Sequence, residues 1–483
     1  MTSSLIASPL LILLPALLMG AAWLLPHTGL LNTLGWTILT RMAIARPARS
    51  AARISLLCGV TQLLIAFHWV PRTIYETTNL GLIGSCAGFL AFLVWEAIPV
   101  AIFGLSVSIL WRLGRTNVFW TVPIWVAMEA YWPRVFPWSI AHTYLDLPPV
   151  IQLAELGGTP LIATWAMTGS VLLASWSTRL WPLRSAFVVA PPHRFPLSVF
   201  GVILVVGLFW GALRDNRVAE SQRGSPHFRV AIIQVDPTKV DAVERLRELS
   251  DSVRGPVDLY VWPESALGIY HSSLQDFGDE QRTTELSEAP NPALDPYANN
   301  PAHLLAGAKT YDEGGRDRGP YRNSAFLIDA DKRIVGRTSK RTLMPIGEYV
   351  PMEHLVPWIR DWLAVDADLV PGDDFTPLTL PGGIKIGVTV CYEDIDTAVA
   401  ATNVRCGANV LIGLINASAF PSEVTLEQHL RLARLRAVEN RTWFLRCAST
   451  GISCVIDPTG RVVQRLPSGV EAVLVANIPL LIE

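Results

Sequence analysis

The chain changes character near residue 215. Before it, apolar residues run in long blocks with few charges between them; after it, apolar runs are short and alternate with polar, charged and turn-forming stretches. The first pattern predicts helices that cross a bilayer, and the second predicts a water-facing α/β domain. Seven blocks suit membrane spans: Leu5–Leu25, Leu30–Ala43, Ile54–Val70, Leu82–Leu110, Val118–Tyr131, Pro160–Trp176 and Pro196–Leu213. A span takes about 20 apolar residues, so the second and fifth fall short of one. The first block lacks a basic lead and a small-residue cleavage site, and reads as a retained helix, not a signal peptide.

Loop charges orient these spans. Arg41, Arg46, Arg49 and Arg53 lie between the second and third, Arg112 and Arg115 between the fourth and fifth, and Arg179, Arg184 and Arg194 between the sixth and seventh. The alternate loops hold only Arg72 with Glu76, then Arg134 with Asp146 and Glu155. The positive-inside rule puts the basic loops in the cytoplasm, so an odd number of spans delivers everything after Leu213 to the outer side. Glu129 and the segment Arg134-Val135-Phe136-Pro137-Trp138 fall on that side. An ionisable residue beside a span is a functional suspect; the plainer expectation is a structural Glu129–Arg134 pair or an interfacial aromatic anchor.

A polar linker, 215–226, precedes the second half. Phe228–Gln234, Val257–Trp262, His303–Thr310, Ser324–Ala330, Ile384–Val390, Val410–Ile415 and Trp443–Ala448 read as strands, and Asp241–Val253 and Glu427–Asn440 as amphipathic helices. Gly451–Ile456 and Arg461–Gln464 form a hairpin around Asp457-Pro458-Thr459-Gly460. Ser272–Pro301 has no period and reads as an exposed loop. Leu355, Trp358, Ile359, Trp362 and Leu363 share a helical spacing that suits either core packing or a lid dipping into a lipid interface. The expected organisation is a multi-pass α-helical membrane domain over 1–214, the linker, and a layered α/β domain over 227–483.

Composition narrows the function. The 483 residues are 51% hydrophobic, with a mean hydropathy of +0.35, too apolar for an ordinary soluble enzyme. A net charge of −2 and the lack of a basic tail give nucleic acid no footing. Cys58, Cys86, Cys391, Cys406, Cys447 and Cys454 show no CxxC spacing, so neither zinc nor another metal is expected. Cys58 and Cys86 read as small buried hydrophobes; Cys406, Cys447 and Cys454 are the candidates for pairing in an oxidising compartment. Cys391 stands apart because it ends the strand-like Lys385–Val390 where the chain turns polar. Glu264 follows the apolar run Val257–Trp262 and Pro263, and Lys340 ends the strand-like Arg333–Ser339. A thiol, a carboxylate and an amine at strand ends supply a nucleophile, a base and a positive charge for covalent acyl transfer.

These contexts carry a resemblance. Glu264 in Trp-Pro-Glu-Ser, Lys340 ahead of Leu343-Met344-Pro345-Ile346-Gly347-Glu348-Tyr349-Val350-Pro351, and Cys391 in Cys-Tyr-Glu together resemble the nitrilase (carbon-nitrogen hydrolase) superfamily. The preceding spans, the Gly-Glu-Tyr-Val-Pro segment, the Gln428-His429-Leu430…Arg436-Ala437…Glu439 helix and the pattern Glu129…Phe136-Pro137-Trp138 are similar to its membrane-bound branch, the apolipoprotein N-acyltransferases of the bacterial inner membrane. The resemblance implies a four-layer α-β-β-α sandwich on the periplasmic side and a cofactor-free mechanism. Cys391 would be the nucleophile, Glu264 the general base and acid, and Lys340 the charge that stabilises thiolate and oxyanion, with Glu348, Tyr392 and Glu393 in support. It also implies a phospholipid acyl donor, usually phosphatidylethanolamine, and a diacylglyceryl-cysteine apolipoprotein as acceptor. Trp358 and Trp362 become candidate lipid contacts.

The match has gaps. The Asn-Asp-Ala-Trp-Phe segment common in that family reads Asn416-Ala417-Ser418-Ala419-Phe420, Arg341 stands where a histidine is usual, and Gln234–Lys239 lacks the expected glycine and nearby tryptophan. A closing membrane helix is also expected, and the tail Leu480–Glu483 is too short to be one: either this branch is anchored from one end or the sequence is a piece of a longer chain. Two rivals use the same residues differently. One is a membrane-anchored amidase in which water attacks the thioester; the other is a non-catalytic binding relative, which the altered Asn416–Phe420 segment favours and the intact Glu264/Lys340/Cys391 set opposes.

Overall fold

In the computed structural model the described residues are 9–180, 194–221, 224–236, 238–239, 241–271, 302–311, 321–351, 353–355, 362–363, 365, 369–418, 420 and 422–480. They fall into two compact units that divide between Arg217 and Val218, with Thr77–Asn79 grouped in the second.

The first unit is helical: α1 (Pro9–Leu24), α2 (Gly29–Ile44), α3 (Ala48–Ala66), α4 (Val70–Thr77), α5 (Gly81–Leu113), α6 (Thr121–Tyr131), α7 (Ala154–Leu180) and α8 (Arg194–Ser221). Among the described residues, Gly81–Leu113 and Ala154–Thr178 are long and apolar enough to cross a membrane, and α3 with α4, bent by 65° at Phe67–Trp69, would make a third if the pair is one span. The apolar run Ile54–Val70 is therefore broken near its end. Cys58 is buried on α3, whereas Cys86 faces outward from α5, a correction to its expected burial; an apolar helix in a bilayer has no need to bury its small residues against protein.

The expected Glu129–Arg134 pair makes no direct ion pair, although the Arg134 charge acts on Glu129. Arg134 pairs with Glu96 of α5 at 3.2 Å and donates to the Trp138 carbonyl at 2.6 Å. Glu129 instead accepts the Ser139 hydroxyl at 2.6 Å and the Ile140 amide at 2.8 Å, capping the turn that follows α6. Sequence proximity pointed only to Glu129, because Glu96, the direct partner, comes from another helix. The Trp138 indole completes the cluster by donating to Glu96 at 3.2 Å.

The second unit is a sandwich of two mixed sheets. The strands are β1 (His227–Gln234), β2 (Leu259–Val261), β3 (Ile269–His271), β4 (His303–Tyr311), β5 (Tyr321–Ile328), β6 (Ile334–Ser339), β7 (Leu378–Leu380), β8 (Ile384–Val390), β9 (Val410–Ile415), β10 (Trp443–Ala448), β11 (Cys454–Ile456), β12 (Val462–Arg465) and β13 (Ala472–Pro479). One sheet runs β13-β1-β2-β4-β5-β6, with β3 also on β4; the other runs β12-β11-β10-β9-β8-β7. The parallel pairs β1–β2–β4 and β8–β9–β10 are central, which fits their nearly continuous apolar sequences, since both faces of such strands are covered.

Alternation along each strand divides two cores. Phe228, Val230, Ile232, Val261 and Leu305 meet Ile386, Val388, Val390, Ile412, Leu445 and Cys447 between the sheets. The opposite face of the first sheet, with Ala231, Ile233, Tyr260, Trp262 and Phe326, packs on Ala242 and Leu246 of α9 (Ala242–Asp251). Two further helices, α10 (Thr397–Arg405) and α11 (Glu423–Asn440), pack on β8 and β10 of the second sheet. The four layers are thus α-β-β-α. Leu355 lies in a short 3-10 turn, Glu353–Leu355, and Trp362 is 54% exposed; Trp358, Ile359 and the Ser272–Pro301 loop lie outside the described residues.

Candidate active site

Three strand ends converge. Glu264 follows β2 in a turn whose next residue, Ser265, takes a left-handed φ of 59°. The turn lies directly on β4: a Cβ on Gly307 would come within 2.7 Å of both the Glu264 Cα and the Ser265 nitrogen, so only glycine fits there. Asn323 of β5 donates from Nδ2 to Glu264 Oε1 at 2.7 Å, and the Asn416 amide, just beyond β9, donates to Oε2 at 2.6 Å. Both carboxylate oxygens are held, one from each sheet. The departure at Asn416–Phe420 leaves this contact intact because it is made by backbone.

Lys340 directly follows β6 and is fully buried, its amide donating to the Asn323 carbonyl at 2.7 Å. Its ammonium reaches Glu348 Oε1 at 2.6 Å, while Glu348 Oε2 accepts the Met344 amide at 2.7 Å. The Met344–Tyr349 loop therefore carries the counter-charge of the buried lysine.

Cys391 ends β8 with φ of 55° and opens the 3-10 turn Cys391–Ile395. A non-glycine residue in this region costs roughly 1–3 kcal/mol and persists only where its surroundings hold it. Two buried acids do so. Glu393 accepts the amides of Val390 (3.0 Å), Arg341 (2.5 Å) and Thr342 (3.0 Å), and pairs with the Arg341 guanidinium at 3.1 Å. Asp394 pairs with Arg446 of β10 at 2.7 Å and with His429 of α11 at 3.1 Å. The Tyr392 ring is half-buried beside them, and burial pushes its phenol up to about 12.

The charges of the Glu264 carboxylate and the Lys340 ammonium both act on the Cys391 thiol. Burial, reinforced by that carboxylate, raises the thiol well above its ordinary value, and Lys340 only partly offsets this. At rest the sulfur keeps its proton and needs a base. Burial also raises Glu264, against the opposing pull of Lys340, Asn323 and Asn416. Burial works against the Lys340 charge, but the acidic groups around it outweigh that effect and hold it above the usual lysine value. A buried thiol, a carboxylate and an ammonium grouped in this way are a set able to generate a thiolate on demand and to stabilise an oxyanion.

Asn323, Arg341, Asp394 and Arg446 escaped the sequence reading. Arg446 did leave a signal, being a polar residue inside an otherwise apolar strand, where a side chain that is not paired is costly, whereas Asn323, in the polar run Arg322-Asn323-Ser324, sits just ahead of the expected strand. All six cysteines are free, and no cluster of metal-ligating side chains occurs among the described residues.

Two family models match the sequence: Carbon-nitrogen hydrolase over residues 229–481, and the apolipoprotein N-acyltransferase N-terminal domain over residues 15–172. The apolipoprotein N-acyltransferase of Geobacter metallireducens is 30% identical over 94% of this chain and 86% of its own length, and that of Pseudomonas putida is 29% identical over 74% and 67%. Among solved structures, Saccharomyces cerevisiae Nit3, a member of branch 10 of the nitrilase superfamily, aligns at 18% identity and a TM-score of 0.40, covering 52% of this chain and 90% of its own. The sequence matches, not that superposition, carry the assignment. With the sandwich, the strand-end site and both halves matched, the chain belongs to the apolipoprotein N-acyltransferase family, acyltransferases of the carbon-nitrogen hydrolase superfamily.

Proposed function

We propose that the chain transfers an acyl group from a phospholipid, phosphatidylethanolamine being the expected donor, to the N-terminal diacylglyceryl-cysteine of an apolipoprotein, through a thioester on Cys391. The observation that carries this reading is the convergence of three strand ends, which brings the Cys391 thiol under the charges of the buried, doubly held Glu264 and of Lys340. Glu264 takes the thiol proton as sulfur attacks the ester carbonyl, and the new S–C bond forms. The ester C–O bond then breaks, and the glycerol oxygen leaves with that proton. In the second half-reaction the α-amine attacks the thioester, the N–C bond forms and the S–C bond breaks. Glu264 passes the amine proton to the departing sulfur. An α-amine with a pKa of about 7.7–8.0 asks little of the base. Lys340, with the Tyr392 amide that follows the nucleophile, serves the oxyanion; Glu348 orients Lys340, and Glu393 holds the turn.

The location belongs to the same reading: residues 1–214 as a multi-pass membrane domain of seven spans in the bacterial inner membrane, and residues 227–483 on the periplasmic side. Loop charge supports that orientation, and an acyl-chain substrate accounts for so large a membrane domain. Trp362, with Trp358, is suited to contact lipid.

The test is to incubate detergent-purified protein with phosphatidylethanolamine and determine intact mass and a peptide map. A hydroxylamine-sensitive acyl adduct on Cys391, lost in Cys391→Ala, is expected; adding a diacylglyceryl-cysteine peptide then discharges it as amide. No adduct on a folded, reduced protein refutes the donor half. Discharge to free fatty acid alone makes the protein a hydrolase. Serine at both Trp358 and Trp362 is expected to slow the lipid donor more than a short soluble thioester, and equal slowing rejects the lipid contact.

A further inference from the structure

We propose that His429 is a positioning residue for both ends of the reaction, tying the turn that carries the nucleophile to the loop that holds the base. The inference rests on Cys391 as nucleophile and Glu264 as base. The first tie runs through Asp394, fully buried in the Cys391–Ile395 turn: His429 Nε2 lies 3.1 Å from Asp394 Oδ1, and the Arg446 guanidinium takes Oδ2 at 2.7 and 2.9 Å. The second runs through Phe420, whose ring packs against the imidazole with centroids 6.2 Å apart. Phe420 closes the segment whose first residue, Asn416, donates its amide to Glu264 Oε2 at 2.6 Å.

The tautomer is fixed by its neighbours. Arg446 Nη2 sits 3.3 Å from His429 Nδ1, and a guanidinium only donates, so Nδ1 is the acceptor there and the imidazole proton is on Nε2, the nitrogen 3.1 Å from Asp394 Oδ1. The imidazole thus stands between Arg446 and the nucleophile turn. That turn needs holding, because Cys391 keeps a left-handed backbone that an unrestrained cysteine would leave.

The test compares His429→Leu with His429→Gln, whose amide can still donate to Asp394. Three quantities are read: the rate at which iodoacetamide alkylates Cys391, followed by peptide mapping because Cys86 and Cys406 are also exposed; kcat and KM for acyl transfer; and the melting temperature. The leucine variant is expected to lose about 10-fold in both alkylation rate and kcat, with KM near that of the parent, as displacement of a reacting group predicts. Glutamine restores most of both. Parental alkylation and kcat in His429→Leu overturn the proposal, and so does a glutamine variant as slow as leucine, which would mark the ring as mere packing. If His429→Leu does not fold, His429→Asn replaces it, since asparagine reaches Arg446 but falls short of Asp394. Alkylation needs no lipid, so a failed acyl-transfer reading leaves this test standing.

Discussion

In the proposed mechanism Glu264 has to be basic enough to accept a thiol proton while sitting almost out of solvent, and its two hydrogen bonds divide that task. The Asn416 amide is backbone and cannot be removed by a side-chain substitution, whereas Asn323 can. Both donors favour the carboxylate, against burial, which favours the acid. Asn323→Leu is therefore expected to raise Glu264 further. At any given acidic pH a smaller fraction is then the base, so the acid limb of the acylation rate moves to higher pH while the plateau above it is retained. An unmoved acid limb in single-turnover measurements would show that Asn323 does not tune the base. At this scale the sequence exposed residues that end strands, because a reactive group after an apolar run is conspicuous. It concealed their partners: Asn323 lies 59 positions from Glu264, and Asp394 and Arg446 lie 52 apart. Only the folded sheets bring them together.

Among the elements, central strands were the most legible, because layers on both faces make them continuously apolar. β8, β9 and β10 match their expected ranges to the residue, and the β11–β12 hairpin follows its Asp-Pro-Thr-Gly turn. β3, β7 and β13 went unread. β7 is only three residues long, and β13, a sheet-edge strand, alternates burial and exposure over part of its length and gains its pairing with β1 from the far end of the domain. The turn after β2 shows what such placement costs in sequence freedom. Gly307→Ala would press a methyl onto the backbone of Glu264 and Ser265, neither of which can yield without moving the base. It is expected to lower kcat by about 10- to 100-fold while the protein still melts cooperatively. A kcat within twofold of the parent would mean that the turn relaxes without carrying the carboxylate along.

For the whole molecule, the boundary between long apolar blocks and short alternating runs anticipated the two kinds of unit, since length and charge density alone separate membrane helices from sheet strands. Which helix supplies Arg134 with its counter-ion was not legible, because α5 approaches that turn only through tertiary packing. The sandwich has a further property. Glu264 and Lys340 leave strands of one sheet and Cys391 leaves a strand of the other, while the surfaces between the sheets are largely apolar and their packing is non-directional. A few bonds cross between the sheets, such as Asn416 to Glu264 and Arg341 and Thr342 to Glu393, but they are far fewer than the ladder bonds that resist rupture of each sheet. Mild urea is therefore expected to abolish acyl-enzyme formation at a lower midpoint than it abolishes far-ultraviolet circular dichroism. Coincident midpoints would mean that the sheets part only when the domain unfolds. Chemistry divided across two plates makes turnover a measure of their alignment, so a conservative change deep between them, far from any reacting atom, can silence the enzyme while its secondary structure stays whole.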